Sequence, residues 1–177
     1  METERLIMRR WREDDREPFA AMNADPEVME HFPATLTREQ SDAMVDKIER
    51  QFEERGYSLW ALEVRGSGRF IGFAGLAWQT FDAPFLPAVE VGWRLARSAW
   101  GHGYATEAAR RAVEHAFTEA GLDAIISMTA ERNLRSRAVM ERLGMTRDPA
   151  EDFDHPFVPQ DSPLLRHVLY RLKREGR

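Results

Sequence analysis

The sequence predicts an α/β protein of the α+β kind, with about seven strands in one mixed sheet and helices on both faces. Strand candidates follow one another in the first half of the chain, whereas strands and helices alternate in the second half. No internal repeat, low-complexity run or long Gly/Ser linker divides the 177 residues. We therefore expect a single domain over residues 1–177, which can bury roughly 70% of the surface of its unfolded chain.

Two helices and four strands are expected in the first half of the chain. One helix should run from Asp14 to about Ala24, because acidic residues suit a helix start. Another follows the capping box of Thr37 and Gln40 and should end near Gly56. The strand candidates are Leu6 to Arg10, Ser58 to Val64, Phe70 to Trp78 and Val89 to Leu95.

In the second half, the clearest helix has an apolar face from Ala105 to Ala120, and Gly121 is placed to end it. A second helix is expected from Leu134 to Leu143. A polar, Pro-containing loop from Asp148 to Pro163 should precede the last strand. The strand candidates are Ile125 to Thr129, Met145 to Arg147 and His167 to Leu172.

The composition excludes several classes of function. The chain has 25 Lys and Arg, 30 Asp and Glu, and no Cys. The lack of Cys excludes disulfides, thiolate metal sites and a cysteine nucleophile, and it favours a cytoplasmic setting. The charges are interspersed, so nucleic acid is not an expected partner. Residues Met1–Arg12 lack the apolar core of a signal peptide, and no run reaches ~18 apolar residues, so no membrane partner is expected.

A glycine-rich segment, Trp100 to Ala105, precedes the clearest helix. Gly101 and Gly103 allow the backbone to turn its amides inward, where free amides and the helix dipole favour a phosphate group. A glycine turn that only starts the helix is the plain alternative. The segment lacks the Gly-Lys-Ser/Thr ending of a P-loop and the third glycine of a dinucleotide fingerprint. We therefore expect it to hold the diphosphate of another coenzyme.

Further motifs flank this segment. Glu90–Arg94 reads EVGWR, Tyr104–Ala108 reads YATEA, and Asn133–Met145 carries Asn, Ser, Val-Met-Glu and Leu-Gly-Met in order. Together these residues resemble the GNAT family of N-acetyltransferases, in particular its RimJ/RimL-like branch of ribosomal-protein N-terminal acetyltransferases. The resemblance runs from about Leu6 to Leu172 and is most specific from Val89 to Met145.

The resemblance implies a centrally splayed sheet and a site for acetyl-coenzyme A as co-substrate, with no metal. The diphosphate would lie on the amides of about His102 to Ala105, and the pantetheine arm along Val89 to Leu95. Asn133 would contact the coenzyme or position the amine. Trp100 departs from the Gln or Arg usual in the wider family, although Trp is familiar in this branch. The implied coenzyme-binding residues are Val91, Gly92, Trp93, Trp100, Gly101, His102, Gly103, Tyr104, Ala105, Thr106, Asn133 and Ser136.

Acetyl transfer requires a neutral amine, whereas lysine and α-amino groups are largely protonated at pH 7. Glu90 is the predicted base, directly or through water, and a solvated strand carboxylate is its plain alternative. A backbone amide of Val89 to Leu95 should stabilise the oxyanion. The resemblance places Ser136 near the leaving sulfur as the acid, although Ser is also common at helix starts. Tyr104 and Tyr170 are weaker candidates.

The loops Thr80 to Pro87 and Asp148 to Pro163 should determine the acceptor, a protein α-amino group or a small-molecule amine. Within the second loop, Asp152 to His155 has metal-ligand residue types, but we favour a role in lining the acceptor pocket, and an ordinary polar loop is the alternative. Two other classes stay open: a non-catalytic coenzyme A-binding regulatory module and a nucleotide-binding oxidoreductase. The oligomeric state stays open between monomer and homodimer.

Overall fold

The computed structural model describes residues 1–174, in which eight strands form one mixed sheet flanked by four α-helices. The helices are α1 (Arg16–Ala24), α2 (Arg38–Arg55), α3 (Tyr104–Thr118) and α4 (Leu134–Arg142). The strands are β1 (Leu6–Arg9), β2 (Leu59–Val64), β3 (Phe70–Gln79), β4 (Ala88–Leu95), β5 (Ala124–Ala130), β6 (Thr146–Arg147), β7 (Phe153–Asp154) and β8 (Arg166–Lys173). The sheet order is β1-β2-β3-β4-β5-β8-β6, and β7 also pairs with β8. The predicted fold class is confirmed.

The helix-boundary signals are confirmed by the backbone geometry of α2. The Gln40 amide donates to Thr37 Oγ1 at 3.2 Å, and the Thr37 amide donates to Gln40 Oε1 at 2.9 Å. Gly56 ends the helix with a left-handed φ of 76°. α1 begins later than predicted because Glu13–Asp15 form a separate 3₁₀ turn.

The segment between β6 and β8 differs from the prediction. The expected unbroken loop from Asp148 to Pro163 is wrong, because it contains a 3₁₀ turn, Pro149–Glu151, and the strand β7, which pairs with His167 and Arg166. A strand of two residues is too short to show an alternating apolar pattern. The sheet therefore has eight strands where about seven were expected.

The sheet opens at its centre, between β4 and β5. β3 and β4 pair through eight residues, and β5 and β8 through seven. The parallel strands β4 and β5 share one registered pair, Glu90 with Ile126. Close to it, Ser127 Oγ donates to the carbonyl oxygen of Val91 at 2.8 Å. The predicted central splay is confirmed, and the backbone of β4 beyond Val91 is out of register with β5.

The two faces of β4 differ in polarity because side chains alternate along a strand. Val89, Val91 and Leu95 are buried in the main hydrophobic core, which also holds four alanines of α3. Glu90, Gly92 and Arg94 share the other face. In the part of the chain that the structure describes, no helix combines the length and apolar character needed to cross a membrane.

Candidate active site

The glycine-rich segment forms a loop of free backbone donors at the start of α3. Gly101 and Gly103 have left-handed φ angles of 80° and 79°, which favour glycine. The amides on either side of this run are satisfied, because Trp100 donates to the carbonyl oxygen of Arg97 and Glu107 to that of Gly103. Within residues 1–174, the six amides from Gly101 to Thr106 donate to no protein acceptor. Six consecutive free donors at the start of a helix are suited to a phosphate group.

The N-terminal segment holds this loop from one side. Arg5 Nη1 donates to the carbonyl oxygen of His102 at 2.8 Å, and Arg5 Nε donates to Glu107 at 2.7 Å. Thr3 Oγ1 donates to the same carboxylate at 2.6 Å. Because a carbonyl and the next amide point in opposite directions across a trans peptide, the bond to His102 turns the Gly103 amide away from Arg5.

Trp100 holds two cations beside the loop. Its indole Nε1 donates to the carbonyl oxygen of Leu95 at 2.9 Å, which fixes the ring at the end of β4. The guanidinium groups of Arg97 and Arg135 lie over the ring, at 4.9 Å and 4.4 Å from its centroid. Arg135 belongs to α4, so its side chain spans the opening between the segments that follow β4 and β5. Each cation is also paired with a glutamate, Arg97 with Glu27 at 2.5 Å and Arg135 with Glu30 at 2.7 Å.

Glu90 lies at the point where β4 and β5 begin to separate. Its Oε2 accepts from Gln79 Nε2 at 2.6 Å, and its carboxylate also accepts from the backbone amide of Met128. Burial raises the pKa of Glu90 to about 7, although both hydrogen bonds favour the charged form and oppose the rise. A carboxylate with a pKa near neutrality is suited to general base catalysis.

Asn133 and Ser136 lie at the start of α4, directly after β5. The Ser136 amide donates to Asn133 Oδ1 at 3.2 Å, so Asn133 is the helix cap. Asn133 Nδ2 donates to Thr129 Oγ1 at 2.9 Å and to Ser136 Oγ at 3.1 Å. The Ser136 hydroxyl proton has no acceptor within residues 1–174. It is therefore free to donate to a ligand in the opening.

Comparison with known proteins identifies the family. A model of the acetyltransferase (GNAT) domain matches residues 5–146. This chain belongs to the GNAT family. It is therefore an acetyl-coenzyme A-dependent N-acetyltransferase, as predicted.

Similar proteins align with most of the length of this acetyltransferase. The uncharacterized YkkB of Bacillus subtilis is 30% identical over 144 residues, 81% of this chain and 83% of YkkB. An acetyltransferase structure from Agrobacterium tumefaciens is 25% identical, with a TM-score of 0.79 over 98% of this chain and 94% of that one. The structure of RimL in complex with coenzyme A has a TM-score of 0.76 over 97% and 95% of the two chains. At 14% identity, RimL shows a shared fold alone.

The predicted coenzyme-binding residues of this acetyltransferase lie on three segments that border the central opening. Val91, Gly92 and Trp93 are in β4 itself. The loop from Trp100 to Thr106 continues from β4, and Asn133 with Ser136 continues from β5. The two tyrosine candidates are engaged elsewhere: Tyr170 is buried and donates to Glu141 at 3.0 Å, whereas the Tyr104 ring stacks on His102 on the Arg5 side of the loop.

The two loops expected to determine the acceptor meet through aromatic rings. His155 lies 4.8 Å from Phe81, and Phe153 lies 4.8 Å from Phe85, between ring centroids. Burial lowers the pKa of His155 and lowers that of His167, beside it, to about 4. Both histidine rings are therefore neutral at pH 7. The rings of Phe81, Phe85, Phe153 and His155 form an uncharged surface, which we call the aromatic wall.

The carboxylates of the Asp152 to His155 run are occupied by ion pairs. Asp152 pairs with Arg147, and Asp154 pairs with Arg166 at 3.3 Å. Across the described residues, no group of three or more His, Asp or Glu side chains is arranged to hold a metal. The run belongs to β7 and its flanks instead of a flexible loop.

The sequence interpretation missed two residues that share a face of the sheet with the predicted base. Gln79 reaches Glu90 because β3 and β4 form a hairpin in which Gln79 pairs with Ala88. Arg94 shares the face of Glu90 and donates from Nη1 to Asn23 Oδ1 at 2.7 Å. The spacing of four residues between Glu90 and Arg94 was visible in the sequence, because side chains on one face of a strand recur every second residue. Asn23 carried no such signal.

Proposed function

We propose that this acetyltransferase, as a cytoplasmic member of the RimJ/RimL-like branch, transfers the acetyl group of acetyl-coenzyme A directly to a primary amine. The observation that carries the proposal is the run of six free amides from Gly101 to Thr106, at the positive end of the α3 dipole. A pyrophosphate offers the acceptor oxygens that these donors lack within the chain. Because the chain has no Cys, transfer proceeds in a ternary complex without an acetyl-cysteine intermediate.

We infer that the rest of the coenzyme lies in the opening beside β4. The opening begins next to Glu90, where the single registered pair of β4 and β5 ends, and continues toward the loop. A pantetheine arm there has the backbone of residues Val91 to Leu95 as its hydrogen-bonding edge. Asn133 lies across the opening. Arg97 and Arg135, paired with Glu27 and Glu30, pack on Trp100 beside the loop, so the diphosphate depends mainly on the backbone amides.

In the transfer step, the amine nitrogen bonds to the acetyl carbon and the carbon–sulfur bond breaks. Glu90 accepts the amine proton, directly or through water, because its carboxylate lies at the closed end of the opening. A backbone amide of β4 stabilises the negative charge on the carbonyl oxygen. The Ser136 hydroxyl protonates the leaving thiolate and regains a proton from solvent.

The acceptor reaches Glu90 on the face of β4 that carries Gly92. The aromatic wall formed by Phe81, Phe85, Phe153 and His155 supports an acceptor with apolar surface next to its amine, either a peptide N-terminus or a small molecule.

Ligand binding and turnover test the proposal together. Acetyl-coenzyme A at 100 times its dissociation constant should stabilise the protein by roughly 2.7 kcal/mol, whereas NADH and ATP at equal concentration should not. Mass spectrometry of N-terminal peptides and small amines, incubated with enzyme and acetyl-coenzyme A, should then show acetylated products. Stabilisation without any product would support a coenzyme-binding regulatory module instead.

A further inference from the structure

The face of β4 opposite α3 contains an open space between a carboxylate and a guanidinium group. Glu90, Gly92 and Arg94 succeed one another on this face. Across the hairpin, Ala77 pairs with Glu90 and Gly75 pairs with Gly92, so the neighbouring positions are small. A Cβ placed on Gly92 would meet no atom within 4 Å. The strand surface at Gly92, between the Glu90 carboxylate and the Arg94 guanidinium, is therefore open, and we call it the floor.

The guanidinium of Arg94 has no anionic partner. Its Nη1 donates to the neutral side chain of Asn23 at 2.7 Å, and its Nε is buried with no hydrogen-bond partner. Burial lowers the pKa of Arg94 to about 10, and no acidic side chain within residues 1–174 counters that effect. A buried cation without a counter-charge is costly, so an incoming anion would stabilise it.

The same guanidinium is nevertheless held firmly. The ring of Phe32 lies 4.2 Å from it, and the ring of Phe73 lies 5.5 Å away. Asn23, its hydrogen-bond partner, donates in turn to Ser41 at 2.9 Å, and both of these residues are fully buried. These contacts fix the position of Arg94, and none of them neutralises its charge.

We propose that Arg94 binds an oxyanion of the acceptor, so that this acetyltransferase prefers amines that also carry a carboxylate or phosphate group. The inference rests on the proposed function, in which Glu90 receives the amine. Arg94 is then a residue that determines specificity, at the opposite end of the floor formed by Gly92.

The strand geometry sets the length of such an acceptor. Residues 90 and 94 are separated by four steps of about 3.3 Å, or about 13 Å. Side chains of a strand stand roughly perpendicular to the sheet, so the two charged groups keep a separation of this order, and a hydrogen bond of about 3 Å at each end leaves about 7 Å between amine and oxyanion. An extended chain of two residues spans about 7 Å. A dipeptide with a free carboxylate, or an N-terminus followed closely by an acidic residue, matches that length.

The test compares acids with matched neutral amines. The kcat/KM of alanyl-alanine should exceed that of its C-terminal amide by between about tenfold and a hundredfold, the range expected for hydrogen bonds to a charged group. Measured in parallel, an aminoalkyl phosphate and the corresponding amino alcohol distinguish phosphate from carboxylate. A preference in either pair supports the subsite, and the absence of preference in both overturns it.

Variants of Arg94 test whether this side chain causes the preference for acidic acceptors. In Arg94→Met the acid-to-amide ratio should fall to about one, whereas Arg94→Lys should retain part of it. Because the ratio is taken within one protein preparation, partial loss of folding does not change it. Arg38→Met, which removes an exposed cation paired with Asp42 on α2, should keep the full ratio. An undiminished ratio in Arg94→Met would overturn the inference.

A binding measurement separates this inference from the proposed function. Calorimetry of N-acetyl-alanyl-alanine and its amide, added to protein with coenzyme A, needs no turnover. Tighter binding of the acid, lost in Arg94→Met, supports the subsite even if no amine is acetylated, in which case the proposed function fails alone. Equal binding, with acetylation proceeding, overturns the subsite and leaves the function intact.

Discussion

The coenzyme loop and the acceptor face of β4 differ in the chemical groups that they offer to a ligand. The loop from Gly101 to Thr106 offers six backbone amides from consecutive residues, so its shape matters more than its side chains. The acceptor face depends on side chains: Glu90 and Arg94 come from β4, and their partners Gln79 and Asn23 come from β3 and α1. Changes in backbone freedom should therefore affect coenzyme binding, whereas changes in side-chain chemistry should affect catalysis, acceptor choice and pH dependence.

The largest expected effect is on catalysis, in the variant Glu90→Gln. Removing a general base should lower kcat/KM by about a hundredfold or more, with the coenzyme dissociation constant unchanged. The wild-type kcat/KM should rise with pH through an inflection near 7, because only the deprotonated carboxylate accepts the proton. The variant should lose that inflection. If activity and pH profile both survive, Glu90 is a structural carboxylate held by Gln79, and another group or water accepts the amine proton.

The same residue gives a stability prediction. The pKa of Glu90 is about 7 in the folded protein, above its ordinary 4.5, so the folded state holds the proton more tightly. The contribution of Glu90 to the unfolding free energy should therefore be greatest below pH 4.5 and fall by at most about 3 kcal/mol as pH rises to 7. The Glu90→Gln variant should lack this fall. In urea unfolding, its stability relative to wild type should therefore be greatest at pH 8. Parallel wild-type and variant curves from pH 4.5 to 8 would contradict the burial of this carboxylate.

The difference between the two regions also explains what the sequence could predict. The loop was recognisable because its glycines, the strand before it and the helix after it are contiguous. The splayed sheet followed from the family resemblance. The bond between Arg94 and Asn23 joins residues 71 positions apart, and no local pattern pairs them. β7 was missed because its two residues are ordered by pairing with β8 and by aromatic contacts such as that of Phe153 with Phe85.

A pair of glycine variants tests whether the backbone geometry of the loop determines coenzyme binding. Gly101 and Gly66 have left-handed φ angles of 80° and 82°, and a Cβ at either would meet nothing within 4 Å. Alanine at either position should cost about 1–2 kcal/mol of backbone strain. At Gly101 the loop relieves that strain by turning its amides away, so calorimetry should show about tenfold weaker coenzyme binding. Gly66→Ala, outside the coenzyme loop, should lower the melting temperature and leave coenzyme binding unchanged. Equal coenzyme affinity in both variants would mean that the loop geometry is not the binding determinant.

The smallest effect is expected from adding one methyl group to the acceptor face, in Gly92→Ala. Its Cβ would meet no protein atom, and its φ is not left-handed, so the melting temperature should stay within error of wild type. The methyl group occupies the floor between Glu90 and Arg94 and should raise the acceptor KM several-fold, while coenzyme binding, to which Gly92 contributes its backbone, stays unchanged. Gly75→Ala in β3 is the contrasting control. Its Cβ would lie 2.3 Å from the Ser58 carbonyl oxygen, so this variant should lower the melting temperature where Gly92→Ala does not. If Gly92→Ala weakens coenzyme binding instead, the floor belongs to the pantetheine arm, and the acceptor must reach Glu90 from the side of the aromatic wall.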